Sequence, residues 1–189
     1  MLKMLYQFCS GLVAIIALPN IACADLENEN LLAPLPPGYK VDFQHKDSNS
    51  LMMEMVPVNE SVKNWTEMVT VQIMYKLKHV APEQFKSRME QMWSGACPGS
   101  QSKQIAQGLE RGLPSVMWVL FCPMNGTTGK PENTWFRGIQ GADSFYLVQK
   151  AYKFTPSKDQ ESKWIGFLQG AYVCDSRVPE RACPKAKAQ

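Results

Sequence analysis

Val116-Met117-Trp118-Val119-Leu120-Phe121 holds six residues without a polar one among them. A run this short and this apolar fits a central strand covered on both faces, and not one with a wet side. Turn chemistry lies on either side of it. Gln101–Leu109 and Ser115–Cys122 read as a hairpin around Glu110-Arg111-Gly112. Beyond the run, Asn125-Gly126 and Gly129-Lys130-Pro131 make a loop, Thr134–Gln140 a strand, Gly141-Ala142-Asp143 a turn and Ser144–Lys153 another strand.

Upstream, period-two alternation marks three more strands. Val41 and Phe43 alternate with Lys40, Asp42 and Gln44; Leu51, Met53 and Met55 share one face; Val69, Val71, Ile73 and Tyr75 share another. Pro82 and Glu83 suit the first turn of a helix whose face carries Phe85, Met89, Met92 and Trp93, with Gly95 as a stop. Ser157 and Gln160 form a capping box before a second helix with Trp164, Ile165, Leu168, Ala171 and Tyr172 along one stripe. Adjacent strands joined by tight turns pair antiparallel. The expectation is a single-domain α+β fold: a mainly antiparallel sheet of about six to seven strands with two amphipathic helices, sandwich-like, the helices on one face or on both.

The N-terminus carries an export address. Met1–Ala24 has one cation, Lys3, then the apolar Leu12–Leu18, then Ala22-Cys23-Ala24 ahead of Asp25. A charged start, a short apolar core and small residues before a cut describe a secretory signal peptide cleaved after Ala24. The apolar run is shorter than the roughly 20 residues a membrane span needs. The expected location is periplasmic or secreted. A lipoprotein signal also ends at a cysteine, so anchoring through Cys23 stands as the alternative, although Asn20 is a poor fit where Leu is usual. Membrane contact is expected only if Cys23 is lipidated.

Four of the six cysteines, Cys97, Cys122, Cys174 and Cys183, lie beyond the signal. An even number in an exported domain reads as disulfides. Of three possible connectivities the element order favours Cys97–Cys122, joining a helix end to a strand end, and Cys174–Cys183, pinning the tail to the last helix. No C-x-x-C pair occurs and His45 and His79 are the only histidines, so no zinc site or other metal is expected.

Removing 24 of the 189 residues leaves 165, enough for one domain. The net charge of +3 drops to +2 without Lys3, and the charges are interspersed, so no nucleic-acid face is implied. Residues 25–37 read as a Pro-rich, extended lead-in, 38–176 as the globular domain, and 177–189 as a basic tail.

The element order, with the Pro37-Gly38-Tyr39 entry, long middle strands and a final helix bearing Trp164, resembles the PsbP-like group of small exported α/β/α sandwich proteins. The resemblance spans most of 37–174 and implies a non-enzymatic accessory or binding role.

The residues offer no catalytic motif. No Gly-x-Ser-x-Gly elbow accompanies His45 or His79, and both are expected at the surface. Glu54, Glu60 and Glu67 lie near strand ends, but seventeen acids supply such groupings by chance. No phosphate loop, dinucleotide fingerprint or calcium loop appears, and no cofactor is expected. Met52, Met53 and Met55 could offer copper thioethers, yet alternation puts Met52 on the opposite face from the other two.

Aromatic residues could instead make a platform: Trp135 and Phe136 precede Arg137, with Tyr146 on the next strand. Trp93, Trp118 and Trp164 share the periodicity of their neighbours and belong in the core. Trp65, in the polar segment Asn59–Glu67, has no such face, and it is the residue expected to recognise a ligand. These readings converge on an exported, non-enzymatic protein of the bacterial envelope that binds an envelope protein or component. A small secreted hydrolase using a carboxylate or histidine is the alternative.

Overall fold

The computed structural model describes residues 26–185 of the 189-residue chain. Cys23, the Ala24 cleavage position and the end of the basic tail lie outside the described residues. In chain order the elements are β1 (Glu29–Leu32), β2 (Tyr39–Lys46), β3 (Ser50–Pro57), β4 (Glu67–Tyr75), α1 (Pro82–Ala96), β5 (Gln101–Glu110), β6 (Leu113–Cys122), β7 (Glu132–Gln140), β8 (Ser144–Tyr152), α2 (Lys158–Gly170) and β9 (Tyr172–Asp175). Seven strands form one antiparallel sheet in the order β2-β3-β4-β8-β7-β6-β5, and β1 pairs with β9. The fold is an α+β sandwich.

The apolar run of β6 lies one strand in from an edge, and it is covered on both sides. Val116, Trp118 and Leu120 pack with Phe136, Leu147 and the Phe85, Met89 and Trp93 stripe of α1. Trp118 and Phe136 stack with ring centroids 4.8 Å apart. Met117 and Val119 face the other way, into a core with Val69, Val71, Trp135, Val148 and Tyr152 that α2 closes with Trp164 and Leu168. The helices therefore lie on opposite faces. Full burial of each large side chain contributes about 2–3 kcal/mol, so Trp118 alone is a substantial fraction of a domain's net stability. Local signals set the helix ends: Ser157 Oγ accepts from the Gln160 N–H, and Gln160 Oε1 accepts from the Ser157 N–H.

Several expectations are corrected. Residues 25–37 are not only an extended lead-in, because Glu29–Leu32 pairs with Tyr172–Asp175. Glu29 also accepts from the Ala142 and Asp143 N–H groups and the Tyr146 hydroxyl, which ties β1 to the β7–β8 turn. A Cβ on Gly141 would collide with that carboxylate, so glycine is needed there. The first part of the tail is fixed as well: Arg177 binds Asp175 at 2.8 Å and Asp143 at 2.6 Å. Met92 lies off the apolar stripe of α1 and is 68% exposed. Tyr172 belongs to β9, since α2 stops at Gly170.

The disulfides are Cys97–Cys122, joining α1 to the end of β6, and Cys174–Cys183, joining β9 to the tail. Among the described residues, no helix is long and apolar enough to cross a membrane.

Candidate functional site

Helix α1 rests mainly on β6 and β7, and on its face of the sheet it leaves β3, most of β4 and half of β8 without a helix above them. Strand parity decides what this open half displays. Register rows run Met52–Gln72–Leu147, Glu54–Thr70–Gln149–Phe136 and Met68–Ala151–Thr134. Leu147 and Phe136 lie beneath α1, and the others do not. The result is a hollow of about 340 Å³ whose floor includes Met52, Glu54, Thr70, Gln72, Thr134 and Gln149. Val62 and Trp65 form one rim, and Glu132 closes the far end.

Two features set this hollow apart from an ordinary polar sheet face. Thr134 is 2% exposed, and its Oγ1 has no hydrogen-bond partner. A buried hydroxyl without a partner forfeits about 1–3 kcal/mol relative to a satisfied one. Burial also raises the Glu54 carboxyl above its ordinary value, and no hydrogen bond or ion pair among the described residues engages it. The Glu132 carboxyl is likewise raised, chiefly by burial, although the Asn125 amide donates to it at 2.9 Å.

The structure separates the three acids singled out in the sequence. Glu54 faces the hollow. Glu60 accepts from the Thr66 N–H at 2.7 Å and its hydroxyl at 2.6 Å, which fastens the loop that carries Trp65. Glu67 turns to the opposite face. Trp65 is half-buried, with the Lys153 ammonium 3.9 Å above its ring centroid.

Met52 lines the hollow, whereas Met55 is in the core on the other face with Met53 packed against it. Trp135, Phe136, Arg137 and Tyr146 are all buried, so the proposed aromatic platform is closed to a ligand. His45 and His79 are exposed, with His45 Nε2 3.5 Å from Asp47 Oδ2. Among the described residues, no group of three or more His, Cys, Asp or Glu side chains is gathered as a metal ion requires.

Two charged groups on the α2 face had no place in the sequence reading. Lys150 is completely buried, with its ammonium 2.7 Å from both Glu67 Oε2 and Tyr39 Oη. The rings of Trp164, Tyr152 and Tyr39 surround it at 4.1, 4.4 and 4.9 Å. Burial pushes its pKa down to about 8 against the opposing pull of Glu67. Strand parity could have revealed it, because Lys150 shares its face with Val148 and Tyr152. Arg137 is the second group: it donates to the Leu168 and Gln169 carbonyls at the end of α2 and to Glu110. A smaller hollow of about 210 Å³ lies beside that cluster. Thr134 left no sequence signal, since a threonine in a strand carries no mark of an unpaired hydroxyl.

No family model matches the chain, and no curated protein matches it. Among solved structures it is similar to a mutant of the protein Mog1, with a TM-score of 0.43 and 9% identity over 75% of this chain and 87% of that one. The Saccharomyces cerevisiae Ran-binding protein Mog1p gives 0.43 and 9% over 76% and 87%. Similarity at that level carries no argument about the site.

Proposed function

We propose that the chain is an exported, non-enzymatic domain of the bacterial envelope that binds an envelope protein or component on the open half of its sheet, beside Trp65. The observation that carries this reading is the buried, unpartnered Thr134 hydroxyl on the floor of an open hollow. Native folds satisfy most such groups, and Thr134 lines the hollow, whereas the unpartnered core groups Trp118 Nε1 and Tyr152 Oη do not. Two disulfides support the compartment, because such bridges persist where the surroundings are oxidising.

The test is recovery of partners from the native envelope with wild type, Trp65→Ala and Gln149→Arg. The reading expects a discrete partner with wild type and its loss with Gln149→Arg, which fills the hollow. Equal recovery from all three would remove the site. Intact mass of the exported protein checks the rest: an N-terminus at Asp25 is expected, and a diacylated Cys23 or an uncleaved chain would overturn the secreted form.

A further inference from the structure

We infer that the hollow accepts a basic side chain, a lysine or arginine carried on an extended segment of the partner protein. This rests on the open half being the binding face and specifies the chemistry of its occupant.

The inference follows from which hydrogen-bonding groups are already engaged. One N–H of each amide at the hollow is used internally: Gln72 Nε2 donates to Met52 Sδ at 3.3 Å, Gln149 Nε2 to Gln72 Oε1 at 3.2 Å, and Asn125 Nδ2 to Glu132 Oε2, which leaves only neutral donors, the second amide N–H groups and the threonine hydroxyls. The carboxylates are the least satisfied groups. Both Glu54 carboxylate oxygens, the second Glu132 oxygen and Thr134 Oγ1 have no donor among the described residues. The nearby cation, Lys153, lies over the Trp65 ring; it attracts Glu132 through space without a close ion pair, and no cation among the described residues neutralises Glu54.

Two carboxylates repel an anion, and a neutral polyol brings no charge to pair with Glu54. An ammonium or guanidinium brings donors alone and supplies the positive charge that Glu54 lacks. It would also offset the desolvation that raises Glu54. The apolar lining of Val62, Trp65 and Met68 suits the methylene stem of such a side chain. The edge strand β2 lies next to β3, and Phe43, paired there with Glu54 and 38% exposed, offers an apolar contact beside the hollow.

Calorimetry with three capped nonapeptides, identical except for a central pair of Lys, Gln or Glu, tests this, with spermidine as a fourth ligand. The Lys peptide should bind, shifting the methyl resonances of Thr70 and Thr134, with the Gln and Glu peptides weaker by about tenfold or more. Glu54→Gln and Glu132→Gln should each weaken the Lys peptide by about fivefold with no fall in melting temperature. Equal affinity for the three peptides, or a Lys peptide indifferent to both substitutions, overturns the inference. Spermidine binding as tightly as the peptide overturns the assignment to a protein segment. If the Gln peptide shifts Thr134 as strongly as the Lys peptide, the binding face stands and the basic occupant falls. If no ligand shifts Thr134 and partner recovery ignores Gln149→Arg, both fall together.

Discussion

Gln149 and Lys150 are neighbours on β8 and stand on opposite faces of the sheet. Behind the sheet, the Lys150 ammonium has a carboxylate, a phenol and three aromatic rings, all supplied by the chain and sealed under α2. In front, Glu54 and Thr134 share a floor that α1 does not reach, and neither has a partner. Both regions place polar groups among apolar ones. The difference is whether folding itself compensates the charge. A compensated charge holds the core in one arrangement, even though the Tyr152 hydroxyl beside it has no partner, and an uncompensated one presents unmet bonding capacity at the surface. The buried lysine is therefore read as architecture and the open floor as function.

Substitutions behind the sheet should damage stability and leave binding alone, and those in front should do the reverse. The largest effect is expected from Glu67→Ala, which leaves the Lys150 ammonium uncompensated and should lower urea-unfolding stability by about 3 kcal/mol. Lys150→Met, which removes the charge and keeps the volume, should come within about 1 kcal/mol of wild type. A large loss in Lys150→Met would mean that the pair is needed for more than neutralising a buried charge.

Next in size is the disulfide contribution. Cys97→Ser with Cys122→Ser opens a loop with a sequence separation of 25 and should cost about 3.5 kcal/mol in the chain-entropy model. Opening Cys174–Cys183, with a separation of 9, should cost less, about 2.5 kcal/mol. The order of the two losses in parallel denaturation curves checks the account, and a reversed order would place more of the fold's stability in β1, β9 and the tail.

The pH dependence follows from Lys150. Its folded pKa of about 8 lies below the ordinary 10.5, so above pH 8 the unfolded chain holds a proton that the folded chain has released. Unfolding free energy should therefore rise between about pH 8 and 10. Above that window burial of Tyr39, Tyr146 and Tyr152, whose hydroxyls are all pushed upward, acts in the opposite direction. The rise should disappear in Lys150→Met; if it persists there, another group causes it. The smallest effect is expected in front: Glu54→Gln relieves a desolvated carboxylate and should stabilise by less than about 1 kcal/mol at neutral pH. A clear loss instead would show that Glu54 has a structural partner.

The sequence was most informative where one element carried its own pattern. The unbroken run in β6, the alternation in β4 and the capping box of α2 each announce themselves locally. Strands β1 and β9 do not. Each has four residues, and Leu31 and Val173 acquire meaning only from each other across a long stretch of chain. Met92 misled because the i+7 position sits beside the true i, i+4, i+8 stripe of Phe85, Met89 and Trp93. Trp65 could be singled out because it lacked a periodic face, and the structure puts it on the rim of the hollow. The floor was illegible: Thr134 and Glu54 come from strands brought together by the β4–β8 pairing, and an unmet hydrogen bond is a property of their surroundings.

The most direct measurement is photocrosslinking in the native envelope from a single reactive side chain placed at Gln149, compared with the same probe at Ser162, which is exposed on α2. The account predicts a discrete adduct from position 149 and none from 162. Adducts of the same kind from both positions, or from 162 alone, would contradict a binding face on the open half of the sheet.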